Sequence, residues 1–259
     1  MLKIFTFAFL LLISLTFTKS VTANRLLGEV DLIDSYAINE DLFVQGFELD
    51  QEDQLLIGTG LYGESAWGYF DWEKGILNRS IELEKKYFGE GITLRKRNLW
   101  QLTWKEGKVF QWDIETKELL NTYEIESEGW GLAYNNEKDI FYLSDGSSTI
   151  YKYDPDNFEL IDQVDVTLKG ELVDQLNELE YANDAIYANI WYDNRIVKIN
   201  PDSGKVLQVY DLTTIIDQLD LTAKQRETMD VLNGIAHIEK DLFYLTGKNY
   251  PLIFKVKLK

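Results

Sequence analysis

The chain has 259 residues and a formal charge of −18, from 26 Lys and Arg against 44 Asp and Glu. A polyanion of this kind repels nucleic acid and anionic lipid, so neither is an expected partner, and the charge serves solubility. Cysteine is absent and His237 is the single histidine, which excludes a thiol nucleophile, a lipid-anchor cysteine, disulfides and any zinc site built on several histidines or cysteines.

The first 23 residues, "MLKIFTFAFLLLISLTFTKSVTA", place Lys3, an apolar run from Ile4 to Phe17 and the small residues Val21-Thr22-Ala23 in the order of a secretory signal peptide. The run is short for a membrane-spanning helix. An uncleaved anchor is the other reading. Residues 24–259 are then expected as one exported all-β domain, periplasmic or secreted, monomeric, and without stable membrane association. Aromatic residues make up 14% of the chain, which favours strands.

"RLLGEVDLI" from Arg25 resembles "GKVLQVYDL" from Gly204, the outer strand of a later unit. After it the chain repeats. Five short segments, "VQGFELD", "GEGITLR", "GWGLAYN", "LNELEYA" and "LNGIAHI", each precede a strand: "DQLLIGTG", "RNLWQLTW", "KDIFYLSDG", "DAIYANIW" and "KDLFYLTGK". Each then leads through a turn to a third strand, and the first four copies to a fourth. With Gly46, Gly91, Gly131, Glu178 and Gly234 taken as equivalent, the intervals are 45, 40, 47 and 56 residues. Four short strands at this period are the signature of a propeller blade. The chain is therefore expected to fold as a five-bladed β-propeller. The fifth copy ends without a fourth strand, so the stretch from Leu26 to Ile33 is expected to supply it and close the ring. "TTIIDQLDLTAKQRETMDV" in the longest interval reads as one or two short helices over one face of the disc, and "LVDQLNELEY" as beginning with a helical turn.

The innermost strands of a propeller line its channel, and the loops leading into them cluster at one mouth. Gln45, Glu90, Trp130, Asn177 and Asn233 hold equivalent places there, and Thr59, Trp104, Ser144, Trp191 and Lys248 end the second strands. These residues differ from copy to copy, and many are polar or bulky, which suggests a site. Each also has a plain structural reading: tryptophans as core, the asparagines as turn caps, Glu90 as a turn acid, Lys248 as a solvated cation and His237 as a strand residue.

The same stretches carry a family likeness. "VQGFELD", "YFGEGIT", "LWQLTWK", "EGWGLAY", "LNELEY", "ANIW", "VLNGIAH" and "LTGKNYP" resemble the plant- and bacterial-type glutaminyl-peptide cyclotransferases, from about Val44 to Pro251. The resemblance implies a five-bladed propeller that converts the N-terminal glutamine of peptides and proteins to pyroglutamate and releases ammonia. It implies Glu90, Lys248 and Asn177 as catalytic, and Gln45, Phe88, Trp104, Trp130 and Trp191 as substrate-binding. Two departures stand out: "NYP" follows Lys248 where a tryptophan would precede the proline, and Val44 replaces a Thr or Ser.

In such a reaction the substrate's own α-amine attacks its γ-carboxamide, so no enzyme nucleophile is required. The residue types suit that chemistry. Aromatic walls can curl the glutaminyl side chain, Glu90 can take and return the proton, and Lys248, Gln45 or Asn177 can donate to the oxyanion. No cofactor is expected for catalysis and no zinc. A structural calcium in the channel is the one expected ion, with Asn233 as its first side-chain ligand. The alternatives are a non-catalytic peptide- or protein-binding propeller and a sugar-phosphate lactonase, which needs a cage of several carboxylates.

Overall fold

The computed structural model describes residues 26–259. The leader expected over residues 1–23 lies outside the described residues. Strand β1 (Val30–Ala37) comes first and pairs last. The first blade is β2 (Val44–Leu49), β3 (Leu55–Thr59), β4 (Ala66–Asp71) and β5 (Ile76–Glu82). The second is β6 (Gly89–Arg95), β7 (Asn98–Thr103), β8 (Lys108–Asp113) and β9 (Leu119–Glu124). The third is β10 (Leu132–Asn135), β11 (Ile140–Ser144), β12 (Thr149–Tyr153) and β13 (Leu160–Asp165). A hairpin of β14 (Thr167–Leu168) and β15 (Glu171–Leu172) leads to the fourth: β16 (Leu176–Ala182), β17 (Ala185–Ile190), β18 (Arg195–Ile199) and β19 (Val206–Asp211). Helices α1 (Thr213–Asp217) and α2 (Ala223–Thr228) precede the fifth, β20 (Leu232–Glu239), β21 (Leu242–Gly247) and β22 (Leu252–Leu258).

The innermost strands touch in the cyclic order β2, β6, β10, β16, β20 and back to β2, so the five sheets form a closed five-bladed propeller. Burial follows from that packing. The second strands are sandwiched between neighbouring blades and are apolar nearly throughout, as in the fully buried Leu55–Thr59, whereas outer strands such as Leu119–Glu124 face water. The apolar clusters lie between blades; Leu56, Trp67, Ile92, Leu99 and Phe110 fill the gap between the first two. The inner strands approach closely at glycine. A Cβ on Gly46 would lie 2.5 Å from the Ile92 nitrogen, and one on Gly131 only 2.1 Å from the Asn177 carbonyl. In the fourth blade the equivalent residue is Glu178. Its carboxylate accepts from the Phe47 N–H at 3.2 Å and the Ile235 N–H at 2.9 Å, tying three blades together across the channel.

The N-terminal strand closes the fifth blade as expected, but it starts later in the chain. β1 runs antiparallel to β22 from Val30 opposite Leu258 to Ala37 opposite Leu252. The strand thus begins four residues beyond Leu26. Residues before it lie against the fourth blade instead, with the Gly28 N–H donating to the Val209 carbonyl at 2.9 Å and Leu27 bridging Val209. The N-terminal segment therefore laces two blades. The helical turn expected in "LVDQLNELEY" is not formed. The preceding "TLKGEL" makes the β14–β15 hairpin, whose turn residues Lys169 and Gly170 both have positive φ, and the short irregular segment after it, with Gln175 also at positive φ, leads into β16. The two short helices do form. Thr222 and Gln225 make a reciprocal capping box at α2, and Ile216 and Leu219 pack with Leu232 and Tyr250 at the mouth end of the fifth blade.

Candidate active site

The loops leading into the innermost strands converge on a cavity of about 240 Å³. Its lining includes Gln45, Glu90, Asn177 and Lys248, together with Phe88, Trp104, Trp130 and Trp191. All eight residues that sequence reasoning singled out for catalysis or substrate binding thus meet in one place, although they come from all five blades. Phe43 and Leu61 complete it.

The aromatic rings form an arc. Phe88 sits edge-on to Trp104 at 5.4 Å between centroids, and Trp130 sits edge-on to Trp191 at 5.3 Å. Edge-to-face pairs lock one another's rotamers, so the wall is preformed. Trp191 continues outward to Tyr192, whose ring is 4.3 Å away and largely exposed. Phe43 packs edge-on to Phe88 on the other side at 6.1 Å.

The polar groups sit at the base. Glu90 is only 4% exposed. Its Oε1 accepts from Gln45 Nε2 at 2.9 Å, and Gln45 Oε1 in turn accepts from Asn233 Nδ2 at 3.2 Å. This chain fixes the carboxyl in one orientation. Burial pushes the Glu90 carboxyl well above the usual carboxylate range; Lys248 pulls it down, and Glu128 and Glu106 push it further up. Burial lowers the Lys248 ammonium, against the pull of Glu90 and Asp230. Both shifts favour the neutral forms, so desolvation outweighs attraction at this spacing. Lys248 Nζ lies 5.0 Å from the Phe43 ring centre and 5.9 Å from that of Trp191. Among the described residues no direct ion pair within 4.0 Å joins it to Glu90. Asn177 Oδ1 is buried without a hydrogen-bond partner, an acceptor left open beside the cavity.

Asn233, expected as a calcium ligand, is a hydrogen-bonded strut. Its Nδ2 donates to the Val44 carbonyl at 3.0 Å as well as to Gln45, and its Oδ1 accepts from the Glu178 N–H at 3.4 Å. Among the described residues no group of three or more His, Asp or Glu is arranged to hold a metal. The Asn233 oxygen keeps a second lone pair, so it and the carbonyl oxygens of the channel are the donors a structural calcium would take. Thr59 and Ser144 are also engaged structurally: Thr59 Oγ1 closes the β3–β4 turn with Ala66, and Ser144 Oγ donates to the Asn177 carbonyl at 2.6 Å. His237 lies away from the cavity. It is half-buried on β20, where its backbone N–H donates to Glu180 and its ring contacts the Lys240 carbonyl.

Two acids escaped sequence reasoning. Glu128 Oε2 accepts from Trp104 Nε1 at 2.7 Å and from Trp130 Nε1 at 3.0 Å. Glu106 accepts from the Tyr62 hydroxyl at 2.8 Å and from the Phe88 N–H at 3.3 Å. That bond, with burial, pushes the Tyr62 phenol up to about 12. Each acid stands two residues from a wall tryptophan, Glu128 before Trp130 in "EGWGL" and Glu106 after Trp104 in "TWKEG".

Comparison with known proteins agrees with this geometry. A family model described as glutamine cyclotransferase matches residues 6–258. The chain is 32% identical over 243 residues to the glutaminyl-peptide cyclotransferase of Arabidopsis thaliana, covering 93% of this chain and 75% of that one. The crystal structure of Myxococcus xanthus glutaminyl cyclase superposes with a TM-score of 0.78 at 31% identity, covering 90% of this chain and 98% of the other. The match spans every blade that contributes to the cavity, and the chain belongs to the glutamine cyclotransferase family.

Proposed function

We propose that the cavity cyclises the N-terminal glutamine of peptides and proteins to pyroglutamate, with Glu90 as the proton shuttle. The observation that carries this reading is a buried, neutral-leaning carboxyl held by Gln45 at the base of an aromatic slot. The substrate's α-amine nitrogen bonds to its own γ-carbonyl carbon, and the bond from that carbon to the side-chain nitrogen breaks. The amine must lose a proton and the leaving ammonia must gain one. Glu90 in its acid form delivers its proton to the leaving nitrogen and takes one back from the nitrogen that has just bonded, ending as it began. Carboxyl with free amine and carboxylate with ammonium have the same composition, so the productive complex holds one proton shared between Glu90 and the substrate.

The walls supply the other half of catalysis. An extended glutaminyl side chain keeps its amine and amide apart; Phe88, Trp104, Trp130 and Trp191 confine it in the curled form. Well-oriented intramolecular attack lowers a barrier by up to about 7–11 kcal/mol. Gln45 is engaged with both Glu90 and Asn233, which makes it the orienter of the carboxyl. Lys248 and Asn177 are left to face the developing oxyanion and the amide.

The test compares a Gln-initiated peptide with its N-acetylated twin. Ammonia release from the first and none from the second supports self-attack by the amine. Equal release from both would indicate hydrolysis of the amide and refute it. Export is a separate proposal. Residues 1–23 are read as a cleaved leader, so the protein works as a periplasmic or secreted monomer; N-terminal sequencing of exported protein should begin near Asn24.

A further inference from the structure

We propose that Glu128 is a positioning residue of this site: one carboxylate oxygen clamps the indoles of Trp104 and Trp130 and so sets the width of the glutaminyl slot. The inference rests on the cyclase reading above. Phe88–Trp104 and Trp130–Trp191 are two edge-on pairs, each internally locked. The ring contacts that organise each pair do not extend from Trp104 to Trp130. The link between them is Glu128 Oε2, which receives both indole N–H groups, at 2.7 and 3.0 Å. Two charge-assisted bonds to one oxygen fix the separation of the two rings more tightly than packing alone.

The backbone explains why Glu128 reaches both. Gly129 N–H donates to the Trp104 carbonyl at 3.0 Å, which lays the third-blade loop directly on the end of the second blade. A Cβ at Gly129 would lie 2.7 Å from the Thr103 carbonyl, so only glycine permits the crossing. Trp130 N–H is held by the Ser144 carbonyl at 2.9 Å. Glu128 therefore stands over the seam between two blades, with one tryptophan on either side. Its charge also reaches the base of the slot, where it opposes ionisation of Glu90.

The clamp and the charge separate experimentally. Glu128→Gln keeps an oxygen for the indoles and removes the charge, whereas Glu128→Ala removes both. A Gln-peptide analogue lacking the α-amine cannot cyclise, and its dissociation constant reports the slot alone. Glu128→Ala should weaken its binding about tenfold, the scale of a lost bond to a charged group, and should raise KM and lower kcat for the true substrate. Glu128→Gln should hold analogue binding within about threefold of wild type. It should nevertheless move the alkaline limb of kcat to lower pH, because Glu90 then gives up the shared proton more readily. Unchanged analogue binding in Glu128→Ala would overturn the proposal. So would a Glu128→Gln protein that binds the analogue as poorly as Glu128→Ala with its pH profile unmoved, which would mark a purely structural acid. Analogue binding does not depend on cyclisation, so failure of the clamp remains distinguishable from failure of the assignment of Glu90.

Discussion

Replacing Glu90 by Gln isolates the proton from the shape of the site. The carboxyl is buried, and one of its oxygens accepts from Gln45 at 2.9 Å. The amide oxygen of Gln can accept the same bond, so the slot and its walls should persist. The titrating group is lost. Positioned acid-base catalysis contributes about 10²–10⁴-fold, so kcat should fall by that factor, equivalent to about 2.7–5.4 kcal/mol of barrier. KM should change little, because the lost interaction is a transfer in the transition state rather than uniform binding. Stability adds an independent reading. The folded-state carboxyl is raised, so the native protein holds a proton that the unfolded chain has released. Wild-type stability from this group is complete below the ordinary carboxylate pKa and is lost as pH rises through the folded value. Glu90→Gln lacks that slope, so its stability relative to wild type should improve with rising pH. The assay is initial-rate ammonia release from a Gln-dipeptide amide, alongside thermal melts at several pH values. A folded Glu90→Gln protein turning over within a few-fold of wild type would refute the shuttle.

Other outcomes follow from the same structure. Lys248→Met should lower kcat by about 10²–10³-fold if the lysine faces the oxyanion; because Lys248 pulls the Glu90 carboxyl down, the alkaline limb should also move to higher pH, and an unmoved limb would separate the two groups. At the far end of the channel Glu48 is raised to about 7 by burial against its bond from Thr93, and Glu178 and Glu180 are raised above the carboxylate range. The melting temperature should therefore fall as pH rises from the ordinary carboxylate range through about 7; Glu48→Gln should flatten that slope, and an unchanged slope would remove Glu48 as its source. Cyclase turnover should survive zinc chelation, since His237 is the single histidine and cysteine is absent; loss with a chelator that zinc alone restores would contradict the mechanism.

The repeat was legible because blade packing imposes it: second strands are buried on both faces and read as apolar runs, and outer strands read as polar. The site was legible for a related reason. Equivalent positions in five copies carry equivalent backbone duties, so Gln45, Glu90, Trp130 and Asn177 stood out as departures from sameness. Glu178 departed in the same way, replacing a glycine, yet its role as a channel strut depends on N–H groups from the first and fifth blades, contacts that no local pattern encodes. Glu128 was hidden because its partners lie in two blades, and an acid beside a glycine resembles an ordinary turn. The helical turn expected at the start of "LVDQLNELEY" does not form because Leu172 is taken up opposite Thr167 in the hairpin that turns at Lys169-Gly170. The start of β1 was displaced because likeness to another outer strand finds the motif, whereas register depends on where Gly28 crosses beneath Tyr210.

The most direct test follows the nitrogen. A peptide whose N-terminal glutamine carries a heavy-nitrogen label only in its side-chain amide is incubated with the purified protein, and both products are examined by mass spectrometry. The account predicts that all label leaves as ammonia, one equivalent per peptide, and that the peptide retains its unlabelled α-nitrogen in a closed ring with no free amine. Labelled ammonia accompanied by a glutamate-initiated peptide with its amine intact would show hydrolysis instead, and unconsumed labelled peptide would show a binding propeller; either result would contradict the account.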